Sequence, residues 1–402
     1  MIVDYDCLIV GGGPNGLCAA LAFDHFGMKS CLIDGANIEG SRTDSRASSL
    51  SASSVAMLRT LGVWTAIEHQ AQAVTDMMIG EGRVGNISPL SLHFEGEGRE
   101  SPMAYIIENE VLRQALVEAV MSRDLITVLA KRQVVDFQQT DGCGVLILDN
   151  QSVLKAPLVV AADGRHSTLR KLAGIERTQH SYNQKALTTI ISHEIPHGSI
   201  AHQLFLTGGP FALLPLTDNR VSIVWSDNSE TIDAVLCLPK AAFKAELLRR
   251  IGDVLGDIEI LSEPVAYPLM LQTTEAMIKG RVALLGDAAH VVHPLAGQGL
   301  NLGLRDAAAL AECSKVSKQA GLDIGGASLI DYARWRSLDN VALASATDAI
   351  NLLFSNRMSP LRHFRRVGLA AVDNIAPIRH FLMREAAGET GDLPKLMQAV
   401  SH

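Results

Sequence analysis

Residues 4–34 read DYDCLIVGGGPNGLCAALAFDHFGMKSCLID, and one spacing inside them constrains the fold more than any other feature of the chain. Gly11, Gly13 and Gly16 form G-x-G-x-x-G directly after an apolar run and directly before a helical pattern. The run CLIV reads as a buried strand, residues 14–27 carry helical periodicity that closes at Gly27, and KSCLID reads as a second strand ending in Asp34. Strand, glycine turn, helix and strand make a right-handed βαβ unit. In such a unit Gly11 permits the tight turn, Gly13 lets backbone N–H groups approach a pyrophosphate, and Gly16 lets the helix pack close to the strand. The helix N-terminus adds about half a positive charge. Asp34, 18 residues after Gly16, is placed to accept from a ribose hydroxyl pair. These features predict dinucleotide binding, but alone they do not separate NAD from FAD.

Composition removes several alternatives. Aromatic residues are only 4% of the 402, which leaves little for stacking nucleic-acid bases, and the net charge of −8 argues against a polyanion binder. The six cysteines (Cys7, Cys18, Cys31, Cys143, Cys237 and Cys313) form no CxxC pair, which suits free thiols in a reducing compartment. The N-terminus has no basic region ahead of an apolar stretch, and no run of eighteen apolar residues occurs, so the expectation is a cytoplasmic protein. His290 and His293 stand three apart with no third ligand beside them, so no metal is expected.

Two further segments narrow the nucleotide. Residues 158–170 read LVVAADGRHSTLR, and residues 281–306 read RVALLGDAAHVVHPLAGQGLNLGLRD. In the second, an apolar strand ends at Gly286-Asp287, a Gly/Pro loop follows, and a helix begins near Leu300. Asp287 at a strand end can hold a polyol hydroxyl. Gly297 and Gly299 let backbone lie against a flat ring, and the helix start aims N–H groups at a ring oxygen that gains negative charge on reduction. A flavin requires such a device and a nicotinamide does not. Asp163-Gly164 also fits an ordinary turn, and Arg46 also fits a solvated loop. Their motif context favours the cofactor.

With these motifs the chain resembles, over almost its whole length, a group A flavin monooxygenase of the para-hydroxybenzoate hydroxylase superfamily, and more narrowly its ubiquinone-biosynthesis hydroxylase branch. GDAAHxxHPxAGQGLNLG is the most specific match. Asp44, Arg46 and a helix at Ser49-Leu50, the set Tyr105, Asn109, Leu112 and Leu116, the Asp163-Gly164 pair with Arg170, GGPFALLPL at 208–216, and LFSN with Arg384 and Gly388 also match. Many relatives carry arginine at the position of Asn109. The resemblance implies FAD bound by Gly11, Gly13, Gly16, Asp34, Arg46, Asn109, Asp163, Gly164, Asp287, Pro294, Gly297, Gly299, Leu300 and Asn301. It implies NAD(P)H as reductant, O2 as co-substrate and a small lipophilic phenol, such as a polyprenyl one, as substrate. No second G-x-G-x-x-G is present, which agrees with relatives that lack a separate nicotinamide domain. No acid–base residue stands out. The W-x-W-x-I-P signature of flavin halogenases is absent. An isoprenoid-lipid reductase or a non-catalytic flavoprotein scaffold remain the other readings of the same cofactor motifs.

The expected fold class is α/β: a discontinuous Rossmann-like FAD-binding domain (1–70, 101–178 and 271–325), an inserted β-sheet substrate domain (71–100 and 179–270) and a helical C-terminal region (326–402). A helix is predicted over 47–62, another over 109–122 and a third over 300–318. Residues 357–384 carry Arg357, Arg362, Arg365, Arg366, Arg379 and Arg384 with Asp373 as the only acid. Two readings stand for them: a surface for anionic lipid at the inner membrane or for a quinone-biosynthesis complex, and a plain solvated helix face. The oligomeric state is open.

Overall fold

A computed structural model describes residues 5–40, 44–83, 86–94, 102–206, 208–292, 298–337, 388 and 390–398. The strand Cys7–Val10 sits in the middle of a six-stranded sheet, between Leu158–Ala161 and Ser30–Asp34, both parallel to it. Val282–Leu284 and Ile126–Ala130 extend the sheet in parallel on either side. All four residues of Cys7–Val10 and of Leu158–Ala161 are buried. That is why these strands read as unbroken apolar runs: both faces of the parallel sheet are covered, one by helices such as Pro14–His25 and the other by the three-stranded sheet Val134–Thr140, Cys143–Leu148 and Val153–Ala156, where a Cβ on Gly144 would stand 2.5 Å from Val159.

Helix Pro14–His25 packs against the long helix Gln298–Gln319. Small residues allow close approach, with Ala307, Ala308, Ala309 and Ala311 all fully buried. At Gly16 a Cβ would stand 1.9 Å from the Gly11 carbonyl oxygen, so no other residue fits there.

The nine-stranded sheet is built on the hairpin Asp76–Arg83/Asn86–Phe94 and on Arg177–His193, Ile200–Leu206, Gly209–Leu216, Arg220–Asn228 and Val265–Thr274. Its register separates two faces. Leu187, Trp225, Phe211 and Leu204 lie in one row and bury against helices Ser229–Leu236 and Lys240–Ile251 through Ile232, Val235, Phe243 and Leu247. The opposite row carries Tyr267, Ala186, Thr188, Val224 and Ala212. Part of this second face (Ile190, Ala201 and Leu216) packs on Val74, Ala104 and Ile106 of a small three-stranded sheet.

The predicted helix over 47–62 is corrected. Ala47–Ser51 is a strand of that small sheet, and the helix runs from Ala52 to Thr60. The expected helix at Ser49-Leu50 is therefore strand. Ser51 caps the true helix, its hydroxyl accepting from the Ser54 N–H at 3.2 Å. Serine competes for backbone groups, so the cluster Ser48, Ser49, Ser51 marks a helix start rather than a helix interior. The helices expected at 109–122 and 300–318 are found at Asn109–Met121 and Gln298–Gln319. The Arg-rich 357–384 segment, LFSN and Arg384 lie outside the described residues.

Candidate FAD site

The four motifs converge around the C-terminal ends of the parallel strands, where open α/β sheets bind ligands. The Gly11 turn (φ +112°) presses against the backbone of Ala162 and Asp163, where a Cβ would lie 2.3 Å from the Ala162 oxygen. Leu285 N–H donates to Ala161 O at 2.9 Å, which ties the Asp163 and Asp287 strand ends together. Asn15 is wedged between Gly286 and Gly303, each of which would place a Cβ within 2.3 Å of its amide. Arg170, 1% exposed, donates to Ala288 O at 2.9 Å, and Gln272, fully buried, donates to Asp287 O at 3.3 Å. Burial weakens the Arg170 guanidinium's hold on its proton, and Arg177 beside it acts the same way.

Within this frame the expected cofactor residues divide by what they have left to offer. A Cβ at Gly13, Gly164 or Gly299 would meet nothing within 4 Å, so these backbones border open space. Gly13 caps the first helix with no side-chain bond to that helix end. The half-buried Asp287 carboxylate has no hydrogen-bond partner among the described residues. Leu300 and Gly299 supply N–H groups in the first turn of the long helix, which an anionic ring edge would satisfy.

Other predicted residues already carry bonds. Asp34 accepts from Gly12 N–H at 2.5 Å and from Ala36 N–H at 2.6 Å, so it also holds the glycine loop to its strand end. One Asp163 oxygen caps helix Thr168–Leu172, accepting from Thr168 N–H at 2.7 Å and Leu169 N–H at 3.1 Å; the other is buried without a partner. The Asn301 side chain accepts from Ser51 N–H (2.9 Å) and Ser54 Oγ (2.8 Å) and donates to Ser49 O (2.8 Å). It locks the long helix to the strand–helix junction at 51 and leaves only main chain for a ligand. Pro294 and Gly297 lie outside the described residues.

Arg46 and Asn109 form one cluster. Arg46 grips Asp44 with two donors, at 2.7 and 2.6 Å, and lies 4.9 Å from the Tyr267 ring centre. Asn109 donates to Asp44 at 3.2 Å and accepts from Ser48 at 2.6 Å. Asp44 makes the Arg46 guanidinium hold its own proton more tightly, with Tyr267 and then Asp287 adding to the effect. Burial would raise the Asp44 carboxyl, but Arg46 and Asn109 together hold it below the usual carboxylate range. The cluster holds the Arg46 guanidinium, paired with Asp44, against Tyr267 of the large sheet.

The sequence reading missed a buried anchor. Asp306, fully buried, accepts from Gly286 N–H at 3.1 Å and Arg336 Nε at 2.8 Å, and lies 2.6 Å from His290 Nε2. Arg336, also fully buried, comes from the helical segment 327–337, where Tyr332 donates to Leu284 O at 2.7 Å. An acid within LRDAAALA, a helix stretch otherwise too small and apolar to face water, was the available signal.

The same positions fit a flavin nucleotide: three glycines open to space, a strand-end carboxylate with no partner among the described residues, an orphaned Asp163 oxygen and a helix start. The family described as FAD binding domain matches residues 4–321. This chain belongs to that family. It is 38% identical to the Ubiquinone hydroxylase UbiL of Rhodospirillum rubrum over 98% of this chain and 93% of that protein. It is 31% identical to the 3-demethoxyubiquinol 3-hydroxylase of Escherichia coli over 94% and 97%. The p-nitrophenol 4-monooxygenase PnpA of Pseudomonas putida DLL-E4 shares the fold, with a TM-score of 0.80, 19% identity, and 98% and 100% coverage. Within the FAD binding domain family the chain falls in the ubiquinone-biosynthesis hydroxylase branch, and it is an FAD-dependent aromatic monooxygenase.

Proposed function

We propose that the substrate is a polyprenyl phenol of ubiquinone biosynthesis, hydroxylated at one ring carbon with NAD(P)H as reductant. One observation carries the substrate class: the sheet face shared by Tyr267, Ala186, Ala212, Val224 and Leu269 is largely apolar, broken by Thr188, Ser226 and Gln184, and turned toward the Arg46 cluster and the start of the long helix. A greasy ring can lie along such a wall with one edge toward the cofactor. The names of the ubiquinone hydroxylase relatives support the same reading.

When bound, FAD supplies the activation of O2. The protein positions it and keeps water out. Gly13, Gly12 and the first turn of helix Pro14–His25 would hold the pyrophosphate, and Asp34 would hold a ribose hydroxyl. Asp287 would hold the polyol chain. The N–H groups at Gly299 and Leu300 would face the pyrimidine edge and stabilise the negative charge that reduction places there. Arg46, held in place by Asp44, would present its guanidinium edge near the ring.

Among the described residues no helix is long and apolar enough to cross a membrane. A lipophilic substrate still calls for peripheral contact with a lipid surface or a carrier complex, which the Arg-rich composition of 357–384 supports.

The test uses purified FAD-loaded protein with NADH or NADPH, 18O2 and a prenylated phenol. The product should carry one 18O atom, and reductant should be consumed faster with the phenol than without it. A product formed without O2 uptake would point to a reductase. Bound flavin with no phenol-stimulated oxidation would point to a scaffold.

A further inference from the structure

Gln184 stands on strand Arg177–His193 just after a break in register between Ser181 and Gln184. It pairs with Leu269 across one edge and Asn228 across the other, so it shares a face with Tyr267, Leu269 and Ala186. Two neighbours fix where that face looks. Tyr267 lies against Arg46, and Leu271 packs against the cluster of Val292 and Leu302, the latter on the long helix. Leu269 lies between them along the strand, and Gln184 is its partner.

The Gln184 side chain is 7% exposed. Its Nε2 donates to Gly208 O at 2.9 Å, and its Oε1 is buried with no partner. A carbonyl can only accept, so the Gly208 contact forces the amide end toward it and leaves Oε1 as the free acceptor. The glycines are what let the side chain lie there. A Cβ on Gly209 would stand 3.3 Å from Gln184 Nε2 and 2.7 Å from Ser226 O, and one on Gly208 would collide with Asp227. Gly208 and Gly209 thus let this turn pass close to Ser226 and Asp227 and bring the Gly208 carbonyl to the carboxamide. A buried acceptor left unpaired is costly and uncommon in a settled fold.

We propose that Gln184 Oε1 accepts the hydrogen bond of the substrate's phenolic hydroxyl and so determines which ring position meets the flavin. The assignment rests on the phenol-hydroxylase reading above. Its chemistry is that of a neutral acceptor: it selects a ring bearing O–H over the same ring bearing hydrogen, and it does not remove the proton. Gln184 is therefore a specificity residue, and its loss leaves the electron supply intact.

The test compares wild type with Gln184→Leu and Gln184→Met, the second keeping the length and flexibility of the side chain should the branched one fold poorly. All three are assayed with bound FAD, by flavin absorbance changes on titration with a prenylated phenol and with the same compound lacking the hydroxyl. Wild type should prefer the phenol roughly 5- to 150-fold, the span set by leaving one buried acceptor unpaired. Both variants should lose that preference or reverse it, because the phenol would then bury a hydroxyl that has no acceptor while the compound lacking it would not. Hydroxylation by the variants should also lose its single position and yield mixed products. A wild-type preference that survives in both variants overturns the inference while phenol hydroxylation stands. So does wild type that hydroxylates the phenol yet binds both compounds equally. Wild type that takes up FAD but neither binds nor hydroxylates the phenol removes the functional reading and this inference with it.

Discussion

Gly13→Ala separates a glycine kept for its ligand from one kept for the fold. The added Cβ meets nothing within 4 Å, and the backbone angles there (φ −76°, ψ 173°) suit alanine. Losing glycine at a helix N-cap costs roughly 0.5–1 kcal/mol, while stiffening the unfolded chain returns about 0.4–1 kcal/mol. The flavin-free protein should thus keep its stability to within about 0.5 kcal/mol. FAD affinity should not survive, because the methyl group stands where the pyrophosphate approaches the backbone. Losing one charge-assisted hydrogen bond is worth about 1.5–3 kcal/mol, roughly 10- to 150-fold in Kd. Urea melts with and without FAD read this directly. At FAD equal to 100 times the wild-type Kd, wild type gains about 2.7 kcal/mol, and the variant should gain only about 1.4 to 0.3 kcal/mol. Gly16→Ala is the contrast, since its Cβ would sit 1.9 Å from Gly11 O and should cost about 1–3 kcal/mol or more even without FAD. A Gly13→Ala protein that gains the full wild-type increment from FAD would refute the placement of the pyrophosphate.

Arg336→Met leaves Asp306 buried with one charged partner fewer and should cost about 3 kcal/mol or more in a urea melt, with looser FAD binding because Gly286 hangs on the same carboxylate. Burial works to raise the Asp306 carboxyl, yet His290 and Arg336 hold it below its ordinary value. Its folded pKa therefore lies below the unfolded value of about 3.9, and the stability it contributes is complete above that value and is lost as pH falls through the folded one. The stability gap between wild type and Asp306→Asn should be no smaller at pH 5 than at pH 7 and should narrow below about pH 4; a gap that narrows between pH 7 and 5 would contradict the pairing. Thiol labelling of the native protein at pH 8 should modify the exposed Cys237 first, because burial pushes Cys31 and Cys313 up to about 12 and raises Cys7 and Cys18 further still from reactivity.

The nucleotide half of the fold was legible because each of its devices is local. A glycine spacing, an apolar run and a strand-end acid occupy a few consecutive residues, and the geometry they demand is set by backbone sterics. The strand at Ala47–Ser51 was not legible in that way. Its conformation comes from pairing with Ala104–Glu108, more than fifty residues away, and the Ser/Ala stretch alternates too weakly to announce it. The Asp306–His290–Arg336 anchor was hidden for the same reason: its members are 16 and 30 residues apart, and only packing shows that all three are buried. Asn301 belongs to the glycine loop motif, but its side chain is spent on Ser51 and Ser54, which no local pattern could reveal. Gln184 looks like any polar residue in a strand until the register puts it on the inner face.

The order in which the parallel sheet is threaded bears on how the chain is made. Its middle strand leaves the ribosome first, yet one lateral neighbour is synthesised about 150 residues later and the next neighbour beyond it after about 275. Until then Cys7–Val10 has an open edge, with helix Pro14–His25 covering one face of it. Such long-range closure makes folding slow and leaves the nascent chain exposed to association. The family's matched region ends at residue 321, but the arginine that neutralises Asp306 arrives only at 336. A fragment cut at the conventional boundary would hold every glycine motif and still lack the counter-charge its core was built around.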